Sequence, residues 1–170
     1  MKRPSSISSF RVSAEQYGPE YQEHLLAIYK DFVASSLALT RARTTSNAFF
    51  LSVNTALISF TGLFAASNAP MTIALAVAGI SISTEWNRYI EAARALNQQK
   101  FRVICEIEEK LPVATYSTEW KLLTEHGQTT RHRKFTTIEQ QVPWIFALLY
   151  GVILVGKIII LLGAAQLSSN

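Results

Sequence analysis

The stretch VPWIFALLYGVILVGKIIILLGA, residues Val142 to Ala164, decides the class of this protein. It is a nearly unbroken apolar run, and Lys157 is the only charged residue in it. Apolar runs of about 20 residues are typical of helices that cross the ~30 Å hydrocarbon core of a bilayer. The stretch therefore predicts a transmembrane helix near the carboxyl end of the chain.

Charge along the rest of the chain follows the pattern of an integral membrane protein. Of the 170 residues, 49% are hydrophobic and only 16% are charged, whereas soluble domains contain about 25% charged residues. No Asp, Glu, Lys or Arg lies between Ala48 and Thr84, and Lys157 is the only one between Gln140 and Asn170. Two such stretches in a short chain exclude most soluble folds.

Three transmembrane helices are predicted. The first covers residues 48–66, which extend about 28 Å as a helix with a rise of ~1.5 Å per residue. The second starts at Met71, and its apolar run reaches Thr84; the third covers 142–164. The turn at 67–70 is so short that it can join only antiparallel neighbours, so the first two helices form a hairpin.

The orientation follows from the basic residues, because loops on the cytoplasmic side of a membrane are rich in Lys and Arg. The hairpin turn and the tail 165–170 carry no charge, whereas the segments flanking the spans on the other side do. We therefore predict a cytoplasmic amino terminus and an external carboxyl terminus. The basic residues that flank the spans are Arg41, Arg43, Arg88, Arg94, Arg131, Arg133 and Lys134.

The segments outside the spans are predicted to be helical or weakly ordered, and the fold class is all-α. Residues 1–18 are expected to be a disordered or weakly ordered cytoplasmic tail, and 19–47 an amphipathic helix. The second span is expected to continue as a cytoplasmic helix over 71–111, where Pro112 stops it. Residues 112–141 form a helical and linker segment with a short helix from about Ser117.

Lys157 is the only ionisable residue inside a predicted span. A lysine within the bilayer costs several kcal/mol, so such residues usually face a pore, a cavity or a partner. In an oligomer, a ring of these lysines could select anions. The alternative is snorkelling, because Lys157 lies ~10 Å from the outer end of its span and its stem can reach the interface.

Four polar residues make the first span unusual for a lipid-facing helix. They are candidates either for hydrogen bonds across a helix interface or for the lining of a water-filled path, and the first alternative is favoured. These residues are Ser52, Asn54, Thr55 and Ser59.

Small residues four apart in the other spans favour close helix packing. Ala74 and Ala78 form such a pair in the second span, and Ala147 and Gly151 in the third. Pairs of this kind let two backbones approach each other, so they predict packing within one protomer or between protomers.

The basic residues Arg131, Arg133 and Lys134 are candidates for binding anionic lipid headgroups, although they also serve as topology signals. Trp86 and Trp144 lie near the predicted cytoplasmic boundary, where aromatic rings favour the headgroup layer. A nucleic-acid partner is not expected, because acidic residues nearly balance the basic ones outside the spans.

Catalysis is not predicted. Cys105 is the only cysteine, the three histidines lack metal-ligand spacing, and we find no phosphate-binding loop or catalytic triad. We therefore expect no cofactor, no metal and no enzymatic activity.

Several sequence blocks resemble the RipA family of small bacterial inner-membrane proteins. They are YQEHLLAIYK at 21–30, SNAFFLSVNTAL at 46–57, LNQQKFRVICEIEEKLP at 96–112, EW at 119–120 and FTTIEQQVPWIFALLY at 135–150. The resemblance implies a homo-octamer in the inner membrane, with no catalytic residues to carry over. The architecture is also similar, at the level of the fold, to SLATT-type membrane effectors of bacterial conflict systems.

Two functions are consistent with these observations. The first is a homo-oligomeric scaffold or regulatory protein with a helical cytoplasmic vestibule, which contacts membrane lipids and an unidentified cytoplasmic protein. The alternative is a channel or pore-forming effector that is gated through its cytoplasmic helices.

Overall fold

The computed structural model describes residues 9–125 and 129–168, without the side chains of 123–138 and 168. Within these ranges every regular element is helical, which confirms the all-α class. The helices are α1 (Ala14–Tyr17), α2 (Tyr21–Phe64), α3 (Ala69–Glu108), α4 (Thr115–Glu125) and α5 (Thr129–Ser168).

Helix α2 joins the predicted amphipathic helix and the first span into one element of 44 residues. No glycine or proline lies between Pro19 and Gly62, so nothing in the sequence interrupts the backbone ladder. Helix α3 likewise joins the second span to its predicted extension, and it ends at Glu108 rather than at Leu111.

Helix α5 starts much earlier than the predicted third span. The linker predicted up to residue 141 is helical from Thr129, and Pro143 lies inside the helix. An internal proline removes one backbone donor without ending the helix here. The sequence between Thr129 and Gln141 contains no glycine or other proline.

Two described helices, α2 and α5, are long and apolar enough to cross a membrane. Helix α3, which contains the second predicted span, is not one of them, because its apolar run is short. It covers only Met71 to Thr84, and Glu85 and Arg88 follow directly. A run of about 14 apolar residues is shorter than the ~20 that a typical spanning helix contains.

The chain divides into two compact units. Unit 1 comprises Met1–Arg41 and Arg94–Thr130, and unit 2 comprises Ala42–Ala93 and Arg131–Asn170. Among the described residues, the core of unit 1 includes Leu25, Ile104 and Ile107, all nearly inaccessible to solvent.

The predicted tail 1–18 contains ordered structure in its described part. Helix α1 begins with a capping box in which Ser13 and Gln16 bond each other's backbone. Ser9 donates from its backbone and its hydroxyl to the Glu106 carboxylate, at 2.9 and 2.8 Å. Lys110 Nζ lies 3.9 Å from the centroid of the Phe10 ring. These contacts attach Ser9 and Phe10 to the end of α3 and the residues just after it, which the composition of the tail did not indicate.

Candidate functional site

Asn54 is the centre of a buried polar group in unit 2, which we call the polar seam (Asn54, Ser83 and Tyr150). The Asn54 side chain donates to the Phe50 carbonyl at 2.9 Å and accepts from the Ser83 hydroxyl at 3.0 Å. The Tyr150 hydroxyl donates to the Asn54 carbonyl at 2.9 Å. Each of the three residues is at most 1% exposed. The seam therefore joins α2, α3 and α5.

Gly79 makes the approach of Tyr150 possible. A Cβ atom at this position would lie 2.4 Å from two ring carbons of Tyr150, which is far inside van der Waals contact. Any larger residue at position 79 would displace the ring and its hydrogen bond to α2. Sequence reasoning missed both residues, although Gly79 follows the predicted packing residue Ala78 directly.

The four predicted packing residues lie elsewhere. Ala74 is exposed, and Ala78, Ala147 and Gly151 are half-buried. A Cβ atom at Gly151 would have nothing within 4 Å. Within one chain, Gly79 is thus a small residue of α3 that packs directly against α5, through the Tyr150 ring.

The other polar residues of the predicted first span have a different environment from Asn54. Ser52, Thr55 and Ser59 are exposed, and each hydroxyl donates to the carbonyl four residues earlier, at 2.9, 2.8 and 2.9 Å. These bonds satisfy the hydroxyls within α2. Asn54 is therefore the only one of the four predicted candidates that reaches another helix.

A second polar cluster, which we call the Glu139 cluster, consists of Arg43, Asn47, Trp86 and Glu139. The Trp86 indole donates to Asn47 Oδ1 at 2.9 Å, and the Asn47 amide donates to the Glu139 carboxylate. Arg43 Nε lies 3.5 Å from the same carboxylate. The cluster joins the start of α5's apolar part to α2 and α3.

Trp86 does not occupy the exposed position that the headgroup prediction requires. It is 3% exposed, and its ring stacks on Phe50 with centroids 5.8 Å apart. Its indole N–H bonds Asn47 rather than a headgroup, because the helix turns it inward. Trp144, in contrast, is 59% exposed. The side chains of Arg131, Arg133 and Lys134 lie outside the described residues.

Lys157 donates a hydrogen bond to the carbonyl of Ala65, the first residue after α2. The last carbonyls of a helix have no partner within the helix, and they carry the negative end of its dipole. The Lys157 ammonium therefore complements the end of α2. Sequence reasoning considered a pore and snorkelling for this residue but not a helix end.

In unit 1, Glu108 is a buried carboxylate surrounded by neutral donors, and it is 2% exposed. It accepts from Tyr29, from the hydroxyl of Thr115, from the Tyr116 N–H and from both donors of Ser117, over 2.7 to 3.2 Å. These bonds hold the first turn of α4 against the end of α3. An acidic run such as Glu108 and Glu109 is typical of a solvated helix face, so the sequence contained no sign of this role.

Opposing effects act on the ionisation of Glu108. Burial alone would raise the pKa of this carboxyl, but hydrogen bonds from Ser117, Tyr116 and Tyr29 outweigh that effect and lower the pKa to about 2. Burial raises the pKa of the Tyr29 phenol, and the Glu108 charge contributes to that rise. Glu108 is consequently ionised and acts as an acceptor at neutral pH.

No group of three or more His, Cys, Asp or Glu residues in the described part of the chain is arranged to hold a metal ion. Polar contacts join one helix to another in each unit, at the polar seam and the Glu139 cluster in unit 2 and at Glu108 in unit 1. The arrangement can therefore fix helices relative to each other within each unit.

The fold and these contacts define a helical membrane protein. The chain belongs to the octameric membrane protein family (8xMP), whose family model matches residues 26–159. No curated protein and no solved structure matches the chain. The match covers every helix except α1 wholly or in part.

Proposed function

We propose that the chain forms a homo-octamer that acts as a scaffold or regulatory assembly in the bacterial inner membrane, without catalysing a reaction. The family description supports eight copies in a membrane. The RipA resemblance is the basis for proposing the bacterial inner membrane. The polar seam carries the scaffold function, because its buried polar groups bond one another across three helices.

The polar seam favours a rigid role because its groups are satisfied inside one chain. A water-filled path needs polar groups that face the path, whereas Asn54, Ser83 and Tyr150 are directed toward each other. Interhelical hydrogen bonds of this kind contribute about 0.6 to 1.7 kcal/mol each in membrane proteins. They would keep the three helices of each copy together during assembly.

We propose three spans, with the amino terminus in the cytoplasm and the carboxyl terminus outside. Although α3 has a short apolar run, Ser83 bonds Asn54 and Trp86 bonds Asn47, so α3 follows α2 at matching depths. Only a short turn joins α2 to α3, with Asn68 accepting from the Met71 N–H. If α2 crosses the membrane, a turn this short requires α3 to cross back to the side on which α2 began.

Unit 1 is proposed to form the cytoplasmic vestibule, where an unidentified cytoplasmic protein docks. It contains most of the acidic residues of the chain and no helix segment that is continuously apolar over a bilayer's thickness. Its surface carries exposed aromatic and apolar side chains, among them Trp120, Leu122 and Val113. Such residues are commonly used in protein contacts.

A channel is the second candidate function, and the exposed hydroxyls of α2 favour it. If Ser52, Thr55 and Ser59 of eight copies surrounded a common axis, they would line a polar path. Lys157 would then add positive charge near one end of that path. The two functions differ in what occupies the central axis.

Recording from planar bilayers that contain the purified protein separates these functions. The scaffold predicts no conductance for wild type, whereas the channel predicts conductance that changes when Lys157→Ala removes the charge. Lys157→Arg, which keeps the charge, is the matched control. Reproducible wild-type conductance that Lys157→Ala alters and Lys157→Arg preserves would reject the scaffold in favour of the channel.

Topology and copy number have their own measurements. A cysteine placed by Ser168→Cys in a Cys105→Ser background should react with an impermeant thiol reagent outside intact cells. Protection of that cysteine would reverse the orientation. Native mass spectrometry in mild detergent should give eight copies, and a monomer would exclude both proposed functions.

A further inference from the structure

Unit 2 presents an exposed row of small residues on α2, which we call the α2 row: Ser52, Thr55, Ser59 and Gly62. Their spacing of three, four and three residues places them along one side of the helix. At 100° per residue, the row lies roughly 120° around α2 from buried Asn54. Small side chains in such a row allow another helix to approach closely in a membrane.

Unit 2 also presents an exposed row of large residues on α5, which we call the α5 ridge: Trp144, Leu148, Val152 and Val155. Each is more than half exposed, from 56% for Val155 to 68% for Leu148. These side chains border a shallow groove of about 950 Å³ that also includes Ala147 and Gly151. The ridge lies on the side of α5 that is opposite to buried Tyr150.

Three contacts align α2 with α5 in one chain. Asn47 bonds Glu139, Asn54 bonds Tyr150, and Ala65 bonds Lys157, so the two helices run in the same direction. The partners in these contacts are separated by 92, 96 and 92 positions. A residue of α2 thus lies at about the same height along unit 2 as the α5 residues that come 92 to 96 positions later in the chain.

The α2 row and the α5 ridge match in height and spacing. The pairs are separated by 92 or 93 positions, within the range of 92 to 96 that the three contacts set: Ser52 and Trp144, Thr55 and Leu148, Ser59 and Val152, and Gly62 and Val155. Every small residue of the row therefore has a large residue of the ridge within about one helical turn, or ~5.4 Å, of its own height. Such complementarity is what knobs on one helix and holes on another require.

The symmetry of a membrane oligomer allows the α2 row of one copy to contact the α5 ridge of a neighbouring copy. Copies that insert with the same orientation can be related only by axes along the membrane normal. A closed ring of this kind uses two different surfaces at each contact, and it keeps all copies at one height. The row of one copy then meets the ridge of the next at matching levels.

We infer that the α2 row binds the α5 ridge of a second copy of this chain, and that this contact closes the ring. The inference rests on the proposed homo-oligomer and adds the surfaces that form it. It also places the hydroxyls of Ser52, Thr55 and Ser59 between helices rather than along a pore. Their bonds within α2 leave them satisfied at such a contact.

Disulfide cross-linking in native membranes tests the contact. In a Cys105→Ser background, Ser59→Cys is combined with Val152→Cys, and oxidised samples are separated without reductant. Because each copy carries both halves of the contact, we expect a ladder from dimer to octamer. The matched control combines Phe60→Cys with Val152→Cys, since Phe60 neighbours Ser59 but points to another side of α2.

The outcomes separate this inference from the proposed function. An octamer by native mass spectrometry without a ladder, or with an equal ladder in the Phe60 control, overturns the inference alone. Dimers from Ser59→Cys by itself would indicate a symmetric α2 contact and also overturn it. A monomeric wild-type protein overturns both.

A bulky substitution provides a second measurement that does not depend on cross-linking. Ser59→Leu adds volume to an exposed position, so the single chain should fold while the neighbour is pushed away. We expect the octamer fraction to fall by about tenfold or more, equivalent to ~1.4 kcal/mol. Phe60→Leu is the matched control and should leave the octamer intact; an unchanged octamer in Ser59→Leu contradicts the inference.

Discussion

The Tyr150 ring occupies the space that Gly79 leaves open on α3, and its hydroxyl reaches the Asn54 carbonyl on α2 at 2.9 Å. One side chain thereby contacts two other helices, one through shape and the other through a hydrogen bond. The position of α5 in unit 2 depends on both contacts.

Gly79→Ala should destabilise unit 2 by about 1–3 kcal/mol, the usual cost of overpacking a close contact. The added Cβ would lie 2.4 Å from the Tyr150 ring, so the ring must move. Thermal unfolding in detergent provides the measurement. Gly62→Ala is the control, because a Cβ there meets nothing within 4 Å. Equal stability of the two variants would contradict the close contact.

Asn54 and Ser83 should be energetically coupled. A double-mutant cycle with Asn54→Ala and Ser83→Ala is expected to give a coupling energy of about 0.6–1.7 kcal/mol, as for other hydrogen bonds between membrane helices. A second cycle, which combines Asn54→Ala with Ser81→Ala, is the control. The Ser81 hydroxyl donates to the Val77 carbonyl in its own helix, so no coupling with Asn54 is expected. Coupling as strong in the control cycle would count against the bond.

Trp86 and Trp144 should differ in their access to lipid. Brominated lipids quench indole fluorescence on contact, and Trp144 is 59% exposed whereas Trp86 is 3% exposed. Most of the fluorescence that brominated lipids quench should therefore come from Trp144 rather than from Trp86. Trp144→Phe should remove most of that quenching, and Trp86→Phe should remove little. Trp120→Phe corrects for the third tryptophan. Stronger quenching of Trp86 would restore the headgroup prediction.

Glu108→Gln should destabilise unit 1 by about 2 kcal/mol, because hydrogen bonds to a buried charged acceptor are worth about 1.5–3 kcal/mol. Hydrogen exchange of the α4 amides is the measurement, and Glu109→Gln, at an exposed neighbour, is the control. Rapid exchange should appear in the first turn of α4. Unchanged exchange there would contradict the proposed role of the carboxylate.

The same carboxylate predicts a dependence on pH. Its pKa is lowered from an ordinary 4.5 to about 2 in the folded chain. The stabilisation is therefore complete above pH 4.5 and is lost as the pH falls toward 2. The difference in α4 exchange between wild type and Glu108→Gln should shrink over this interval. A constant difference down to pH 2 would contradict the assigned cause.

The sequence was sufficient to predict the helical class and the membrane character, because both depend on composition and period along a single segment. The charge-free stretch at 142–164 predicted the apolar part of α5 correctly. It did not predict where the helix begins, because the polar residues between Thr129 and Gln141 are compatible with either a helix or a linker. The choice of Asn54 among the polar residues of α2 depends on which side faces Ser83. That fact belongs to the packing of two segments, and no pattern within either one contains it.

The contacts that escaped prediction share a physical property. Gly79 is important only because the Tyr150 ring packs against it, and Tyr150 fits only because position 79 is a glycine. Neither residue is unusual in an apolar helix. Glu108 lies in an acidic run beside Glu109, which reads as a solvated helix face until the chain returns after Pro112. Ser117 then brings its donors to the carboxylate. Contacts between distant segments decide which of several similar residues is buried.

All five hydrogen bonds to Glu108 come from uncharged donors: hydroxyls and backbone N–H groups. Dissolved ions weaken attractions between exposed opposite charges, but they act little on short bonds from neutral donors inside a core. The contact between the end of α3 and the first turn of α4 should thus not depend on ionic strength. We expect it to persist when the salt concentration inside a cell changes under osmotic stress.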